Sequence, residues 1–134
     1  MQTIFELKNK EPYDLNVLEK MQTTAAELLR KTGSGQNTQA VVVHSATGGE
    51  YSTVLRNACS LCPSGEDDLL DALKAAGDTE IRYVLCVWQD GGIDIPSYAF
   101  RKMLTALDPK NTEARLFVMT AGGISAVKVS TTMK

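Results

Sequence analysis

The order of helix-forming and strand-forming segments along this chain predicts an α/β fold. After Asp14, apolar residues recur every three or four positions, as they do on one face of a helix. Continuous apolar runs at 40–44 and 81–88 are rich in β-branched residues, which is typical of interior strands. Near the C terminus, Gly122-Gly123 separates two further apolar runs and indicates an antiparallel hairpin. These observations predict helices packed on a sheet.

The first helix is predicted to begin after Asp14, whose carboxylate can accept hydrogen bonds from the first free amides. It is expected to end at Gly33-Ser34-Gly35, with Arg30 and Lys31 in the last turn, where the helix dipole favours cations. Its apolar positions fall on one face and are expected to be buried: Leu15, Leu18, Met21, Ala25, Leu28 and Leu29.

The remaining elements follow from the same patterns. Ala40–His44 and Tyr51–Leu55 are predicted to pair through a turn at Gly48-Gly49. A helix is expected to start around Glu66, and Ile81–Trp88 is the strongest predicted strand. The terminal hairpin is predicted from two runs joined by the Gly122-Gly123 turn: Ala114–Ala121 and Ile124–Val129.

Length and composition limit the possible classes of protein. At 134 residues the chain is expected to be a single domain, 1–134, with 1–13 as a possible N-terminal extension. A net charge of −2 without a basic stripe argues against nucleic-acid binding, and no apolar run approaches the length that spans a bilayer. Three cysteines and an N terminus without a signal-peptide pattern favour a cytoplasmic location.

Two short segments carry the strongest functional signal. They are Ser64-Gly65-Glu66 and, further along, Pro96-Ser97-Tyr98-Ala99-Phe100-Arg101. Zinc deaminases carry H/C-x-E and then P-C-x-x-C at such places, each at the start of a helix. The chain therefore resembles the cytidine deaminase-like family, of the small free-nucleoside type. In that resemblance Glu66 corresponds to the general acid/base, whereas Ser64, Ser97 and Phe100 correspond to the three zinc ligands.

The resemblance implies an architecture. It is the cytidine deaminase-like fold, a three-layer α/β/α domain with a mixed five-stranded sheet and a C-terminal antiparallel hairpin. The predicted hairpin at Gly122-Gly123 fits the free-nucleoside branch, since the deaminases that act on RNA or DNA insert a helix there. Members of this family assemble, so a homodimer or homotetramer is expected.

The resemblance also implies zinc, but the residues at the ligand positions do not suit it. Zinc is held by thiolate, imidazole or carboxylate groups, whereas Ser64 and Ser97 offer neutral hydroxyls and Phe100 has no donor atom. We therefore expect no metal cofactor at these positions. Without a metal-activated water, Glu66 is left as the only candidate catalytic residue.

Candidate ligand-binding residues come from the same resemblance. The ribose-binding N-x-E segment of the family corresponds here to Val54 and Arg56, so both ribose contacts are replaced. A small ligand, nucleoside-like or anionic, remains possible, with Trp88 as a stacking surface. The candidate binding residues are Arg56, Asn57, Ser64, Ser97 and Tyr98.

Structural roles explain many of these residues equally well. Ser64 with Asp67 resembles a helix-capping pair, Pro96 suits a first helical turn, and Ser97 can bond free amides. Phe100 would fill a metal cavity with carbon.

The remaining cysteines and the histidine give weaker signals. The pair Cys59 and Cys62 supplies only two possible metal ligands, Cys86 is expected to act as a small buried apolar residue, and His44 as a core histidine.

The functional prediction is a metal-free, deaminase-like protein that does not deaminate and binds a small molecule or a partner. Two alternatives remain open. One is a divergent nucleoside deaminase that still acts through Glu66. The other is a protein-interaction module whose function lies on the surface.

Overall fold

The computed structural model describes residues 10–32, 38–55 and 66–133. The helices are α1 (Leu15–Thr32), α2 (Glu66–Ala76), α3 (Tyr98–Leu107) and α4 (Val129–Thr132), with a 3-10 helix at Pro109–Glu113. The strands are β1 (Gln39–Ser45), β2 (Glu50–Leu55), β3 (Ile81–Trp88), β4 (Ile93–Asp94), β5 (Arg115–Thr120) and β6 (Gly123–Lys128).

The strands form a mixed sheet in the order β2-β1-β3-β5-β6. All these neighbours are antiparallel except β3 and β5, whose parallel pairing requires the crossover through α3. The two-residue strand β4 adds to the five that were predicted, and it pairs with β3 at Cys86 and Val87. The predicted mixed α/β architecture is confirmed.

Alternate residues of the central strands divide the core into two halves. On β3, Tyr83 and Leu85 belong to the cluster under α1, whereas Val84 and Cys86 belong to the cluster under α2 and α3. The sheet is therefore the middle of three layers. The opening residues of α2 and α3 lie on the Cys86 side, and that side carries the candidate site.

Helix α1 begins as predicted, because Asp14 Oδ1 accepts hydrogen bonds from the amides of Asn16 (2.9 Å) and Val17 (3.4 Å). Four of the six predicted apolar positions are fully buried, and Leu28 is partly buried. Leu15 was wrongly assigned to the core, since it is 58% exposed in the first turn, before the helix reaches the sheet. The predicted stop at Gly33-Ser34-Gly35 lies outside the described residues.

The terminal hairpin is confirmed, but its turn is shifted by one residue. Gly123 is already the first residue of β6 and faces Thr120, so the turn consists of Ala121 and Gly122. Gly123 has a φ of 113°, which a residue with a side chain rarely adopts. The Thr120 hydroxyl donates to the Gly123 carbonyl at 2.8 Å and closes the hairpin.

The described part of the predicted N-terminal extension packs against β6. The Glu11 amide donates to the Ala126 carbonyl at 2.7 Å, and the Tyr13 hydroxyl donates to the Ile124 carbonyl at 3.1 Å. The Tyr13 ring meets Phe117 edge-on. Residues 10–13 thus cover part of the outer edge of the sheet. Among the described helices, none is both long and apolar enough to cross a membrane.

Candidate functional site

The first residue of α2 and the residue before α3 meet at the candidate site. Glu66 opens α2 and is only 1% exposed. The Ser97 hydroxyl donates a hydrogen bond to Glu66 Oε2 at 3.1 Å. One described residue from each motif, Glu66 and Ser97, therefore lies at the start of a helix, and the two side chains are in contact.

Ser97 caps α3, as one of the structural interpretations predicted. Its Oγ accepts from the Phe100 amide at 3.1 Å, so the hydroxyl accepts from its own helix and donates to Glu66. The prediction for Pro96 was wrong: it precedes the cap and is not in the first turn. Its carbonyl accepts from Arg101 Nε at 3.1 Å, which fixes the chain where it enters the helix.

Phe100 lies entirely within the core, with 0% of its surface exposed. It belongs to the cluster that α2 and α3 form against the sheet, together with Leu70, Leu104 and Cys86. A buried phenyl ring contributes packing energy but no lone pair. At the position where the resemblance places a metal ligand, the chain therefore has a core side chain.

Strands β3 and β4 lie behind the two helix starts. Cys86 is fully buried, as predicted, and burial raises the pKa of its thiol well above the ordinary value. The negative charges of Glu66 and then Asp94 raise that pKa further. The Cys86 side chain is therefore a neutral thiol near two carboxylates, without the thiolate character that a nucleophile or metal ligand needs.

Two aromatic side chains and one carboxylate lie in the segments that flank Ser97 along the chain. Trp88 Nε1 donates to Asp94 Oδ2 at 3.2 Å, which links the end of β3 to β4. Tyr98, the first residue of α3, is 47% exposed. The Arg101 guanidinium lies 5.6 Å from the Tyr98 ring centroid and Lys102 Nζ lies 5.8 Å from it, so cations flank the ring.

Arg101 is a buried cation whose role the sequence did not reveal. Besides its bond to Pro96, it donates from Nη1 to the Thr132 carbonyl at 3.0 Å, which ties α3 to α4. Burial lowers the pKa of its guanidinium, although arginine stays charged. These two hydrogen bonds hold Arg101 in place, and its guanidinium lies near Tyr98 as a consequence.

Several candidate residues lie outside the described residues: Arg56, Asn57, Cys59, Cys62 and Ser64. Their proximity to Glu66 stays a prediction. Within the described ranges, no group of three or more histidine, cysteine, aspartate and glutamate side chains is placed to hold a metal ion. Of the predicted site residues, the structure brings together Glu66, Ser97 and Phe100, with Tyr98 beside them.

His44 is a partly buried residue of β1, rather than a core histidine. Its ring lies 5.9 Å from the Tyr83 ring, on the α1 side of the sheet and away from Glu66. Burial lowers the pKa of His44, and Arg82 and Lys20 lower it further, while Glu50 and Asp14 act in the opposite direction. Nothing places it at the candidate site.

The sequence interpretation missed a buried carboxylate at the other end of α2. Asp78 accepts hydrogen bonds from the hydroxyls of Ser45 (2.7 Å), Thr47 (2.8 Å) and Tyr51 (2.9 Å), which all belong to the β1–β2 hairpin. An aspartate directly after a helix-ending glycine usually marks an exposed loop. No sequence pattern indicated that three hydroxyls would converge on it.

The three layers, the mixed sheet order and the two helix starts define a class, the cytidine deaminase-like fold. Solved structures of bacterial cytidine deaminases share it. The enzyme from Mycobacterium leprae superposes with a TM-score of 0.60 at 19% identity, covering 81% of this chain and 92% of its own. The enzyme from Burkholderia pseudomallei gives 0.60 at 15% identity, covering 84% and 92%.

A mutant cytidine deaminase from Mycobacterium tuberculosis gives a TM-score of 0.63 at 14% identity, covering 89% of this chain and 90% of its own. At these identities the likeness establishes the fold and not the activity. At the level of sequence, no protein-family model matches this chain, and neither does any curated protein sequence. The resemblance inferred from the two motifs is thus confirmed for the fold.

Proposed function

We propose that this chain is a metal-free, deaminase-like protein that does not deaminate cytidine and binds a small molecule beside Glu66 and Ser97. One observation carries the proposal. The Ser97 hydroxyl is committed to the Phe100 amide and to Glu66 Oε2, at 3.1 Å each. The position that would hold a zinc ligand therefore serves helix capping and the bond to Glu66.

The donor chemistry at the corresponding positions does not fit zinc. A zinc ligand has to present a lone pair with negative or imidazole character at about 2.0–2.3 Å from the metal. Ser97 is neutral and already bonded, and Phe100 is a buried phenyl ring. The third position, Ser64, is a neutral hydroxyl by its chemistry. Without the metal there is no activated water on which Glu66 could act.

The described groups favour a ligand that is planar and carries hydrogen-bond donors. A carboxylate such as Glu66 accepts hydrogen bonds only, and an amino group or ring N–H would complement it. Trp88 and the half-exposed Tyr98 supply aromatic surface near Asp94 and Ser97. A nucleoside-like base meets these requirements, and an anion at the helix starts is the other ligand class we retain. Arg56, Asn57 and Ser64 remain proposed contacts.

A divergent, still active nucleoside deaminase is the second candidate function. The observation in its favour is the position of Glu66, buried at the start of α2, where the resemblance places the general acid/base of the family. It would require a metal from other ligands, of which Cys59 and Cys62 are the first to test.

Native mass spectrometry of protein purified without chelator or metal affinity resin tests the metal-free proposal first. We expect a mass without zinc and, where a ligand has co-purified, an organic adduct. One zinc per chain would overturn the metal-free proposal. Loss of the cytosine absorbance band on incubation with cytidine would overturn the non-deaminating proposal.

Matched variants test whether the site binds a ligand. Glu66→Gln keeps the size of the side chain but removes its charge, and Asp67→Asn makes the same change one residue away on the exposed surface. A nucleoside or anion at a hundredfold excess over its dissociation constant should stabilise the wild type by about 2.7 kcal/mol. We expect Glu66→Gln to reduce this stabilisation and Asp67→Asn to leave it unchanged.

Ser97 allows the capping role to be separated from the bond to Glu66. Ser97→Ala loses both, and loss of the cap should cost about 1 kcal/mol of folding free energy. Ser97→Asp retains a good capping group but places a second carboxylate next to Glu66. Repulsion between the two carboxylates should therefore destabilise Ser97→Asp at neutral pH although the cap is retained, and the loss should diminish at acid pH as one carboxylate is protonated. If the site binds through Glu66, Ser97→Asp should also show altered ligand binding at neutral pH.

Assembly as a homodimer or homotetramer and a cytoplasmic location complete the proposal. Neither property affects the hydrogen bond between Ser97 and Glu66 on which the proposal rests. The native mass measurement reports the number of subunits directly. Absence of any ligand effect together with a specific protein partner would instead support the interaction-module alternative.

A further inference from the structure

A second concave surface lies on the other face of the sheet from Glu66. It is a groove of about 370 Å³ between the last turns of α1 and the end of β3 with its turn to β4. We call it the α1 groove and define it by six of its lining residues: Ala26, Leu29, Arg30, Val87, Gln89 and Ile93. Leu29, Val87 and Ile93 belong to the core cluster under α1, whereas Phe100 and Cys86 belong to the opposite one.

The wall of the α1 groove is largely apolar. Leu29 is buried, Val87 and Ile93 are partly exposed, and Ala26 is exposed at the side of α1 that lines the groove. The volume lies within the range of small-molecule pockets, which are typically apolar with a few polar groups that fix orientation. A ligand with an apolar body would therefore gain free energy by covering Val87 and Ile93.

The charge among the described lining residues of the α1 groove is positive. Arg30 is the only charged residue among its described lining residues. Arg30 takes part in no ion pair with any other residue that the structure describes. The dipole of α1 disfavours an anion at this end of the helix, so any anion bound here would depend on the arginine.

Gln89 provides a second polar group with an unmade hydrogen bond. Its backbone amide donates to the Thr38 carbonyl at 2.9 Å. Its side-chain Oε1 is buried and has no hydrogen-bond partner within the described part of the chain. A buried acceptor without a donor is unfavourable. A ligand that brings an O–H or N–H can meet this acceptor after a rotation of the side-chain amide.

We infer that the α1 groove is a second small-molecule site, for amphiphilic carboxylates that carry one hydroxyl or N–H donor. The carboxylate pairs with Arg30, the apolar body covers Val87 and Ile93, and the donor bonds to Gln89. This site is independent of the Glu66–Ser97 proposal, because the two lie on opposite faces of the sheet.

Three related probes test these features one at a time. 4-Hydroxyphenylacetate has the ring, the carboxylate and a hydroxyl donor. Phenylacetate lacks the hydroxyl, and 4-hydroxyphenethyl alcohol lacks the carboxylate. Titration followed by backbone-amide NMR measures affinity and location together. We expect 4-hydroxyphenylacetate to bind at least about threefold more tightly than either truncated probe, a ratio typical of one partly exposed polar contact. The shifted amides should cluster at 26–30 and 87–93.

Two variants and one control complete the test. Arg30→Gln should weaken 4-hydroxyphenylacetate by about threefold to tenfold and leave 4-hydroxyphenethyl alcohol unaffected. Lys31→Gln removes the same charge from the neighbouring position, which does not line the groove, and should change neither affinity. Ala26→Trp should block all probes, and since Ala26 is exposed the variant is expected to fold.

Absence of shifts at 26–30 and 87–93 at millimolar concentrations of every probe would overturn the inference. Equal weakening by Arg30→Gln and Lys31→Gln would also overturn it, since only a nonspecific charge effect would remain. If Ala26→Trp instead converts an oligomer into a smaller species in solution, the groove is an interface between copies of the chain and not a ligand site.

Discussion

Helix α2 is flanked by two buried carboxylates, and they are held in different ways. Asp78 follows the end of the helix and accepts hydroxyl hydrogen bonds from three residues of one hairpin. Glu66 opens the helix and accepts from Ser97, the cap of a different helix. Asp78 thus joins α2 to the β1–β2 hairpin, whereas Glu66 joins the starts of α2 and α3, where the cytidine deaminase-like fold has its motif positions.

The difference separates a structural carboxylate from a candidate functional one. The hydrogen bond from Ser45, followed by those from Thr47 and Tyr51, lowers the pKa of Asp78 although burial opposes the shift. The hydroxyls around Asp78 all come from one hairpin, so its environment is complete once the end of α2 packs against that single element. The environment of Glu66 requires two helices to be packed correctly.

The largest expected effect is on stability, from Asp78→Ala. The substitution leaves the Ser45, Thr47 and Tyr51 hydroxyls without their common acceptor, and burial at this point prevents full compensation by water. We expect the melting temperature to fall by roughly 10 °C. Glu66→Gln should have a much smaller effect, because its amide oxygen can still accept from Ser97.

Thermal unfolding followed by circular dichroism compares these two variants directly. Asp71→Ala serves as the control, since it removes an exposed carboxylate from the same helix. If Glu66→Gln proved as destabilising as Asp78→Ala, both carboxylates would be structural and the contrast between them would fail.

A smaller loss is expected when the Asp78 environment is disturbed without removing the carboxylate. A Cβ on Gly49 would lie 2.7 Å from Asp78 Oδ2, closer than real Cβ atoms approach another atom, and 3.2 Å from Ser45 Oγ, which is tighter than most such contacts. Gly49→Ala should therefore displace the carboxylate and lower the melting temperature by roughly 5 °C.

Gly122→Ala is the matched control for that experiment. It changes a glycine in the turn of the other hairpin, where a Cβ would meet nothing within 4 Å. It should leave the melting temperature nearly unchanged. If the melting temperature fell equally in Gly49→Ala and Gly122→Ala, the effect would come from the loss of glycine flexibility. The close contact between residue 49 and the Asp78 carboxylate would then not be its cause.

The sequence predicted the elements that depend on local chemistry. The periodicity of α1, the run in β3 and the glycines of the terminal hairpin each specify structure within a few residues. The pairing of Glu66 with Ser97 was also predictable, but only through the resemblance of two motifs to a known family. Periodicity alone would have given two unrelated helix starts.

The contacts that the sequence did not predict join residues that are distant in sequence. Asp78 acquires its partners when a hairpin about thirty residues away folds over it, and Arg101 meets Thr132 across α4. The shift of the last turn to Ala121 and Gly122 has a local cause, since either glycine could have occupied the turn. The position of Pro96 outside α3 followed from Ser97 taking the cap.

The smallest expected effect is the contribution of Asp78 and Tyr51 to the pH dependence of stability. The folded pKa of Asp78 lies below its ordinary value of 3.8, so its contribution is complete above that value and is lost as the pH falls through the folded pKa. The folded pKa of Tyr51 lies above its ordinary value of 10.0, chiefly because its hydroxyl donates to Asp78. Its contribution is complete below that value and is lost as the pH rises through the folded pKa.

Urea unfolding at a series of pH values, from about 2 to 5 and from about 9 to 11, measures the free energy of unfolding in each range. We call its fall with decreasing pH the acid limb and its fall with increasing pH the alkaline limb. Tyr51→Phe should reduce the alkaline limb and leave most of the acid limb, because the Ser45 and Thr47 bonds remain. The part of the alkaline limb that comes from the buried Cys86 thiol, whose pKa is also raised, should persist. Asp78→Asn should reduce both, since the carboxylate is the common partner. An alkaline limb as large in Tyr51→Phe as in the wild type would show that Asp78 and Tyr51 do not titrate as a coupled pair. The predicted reduction would establish Asp78 as the structural carboxylate of α2.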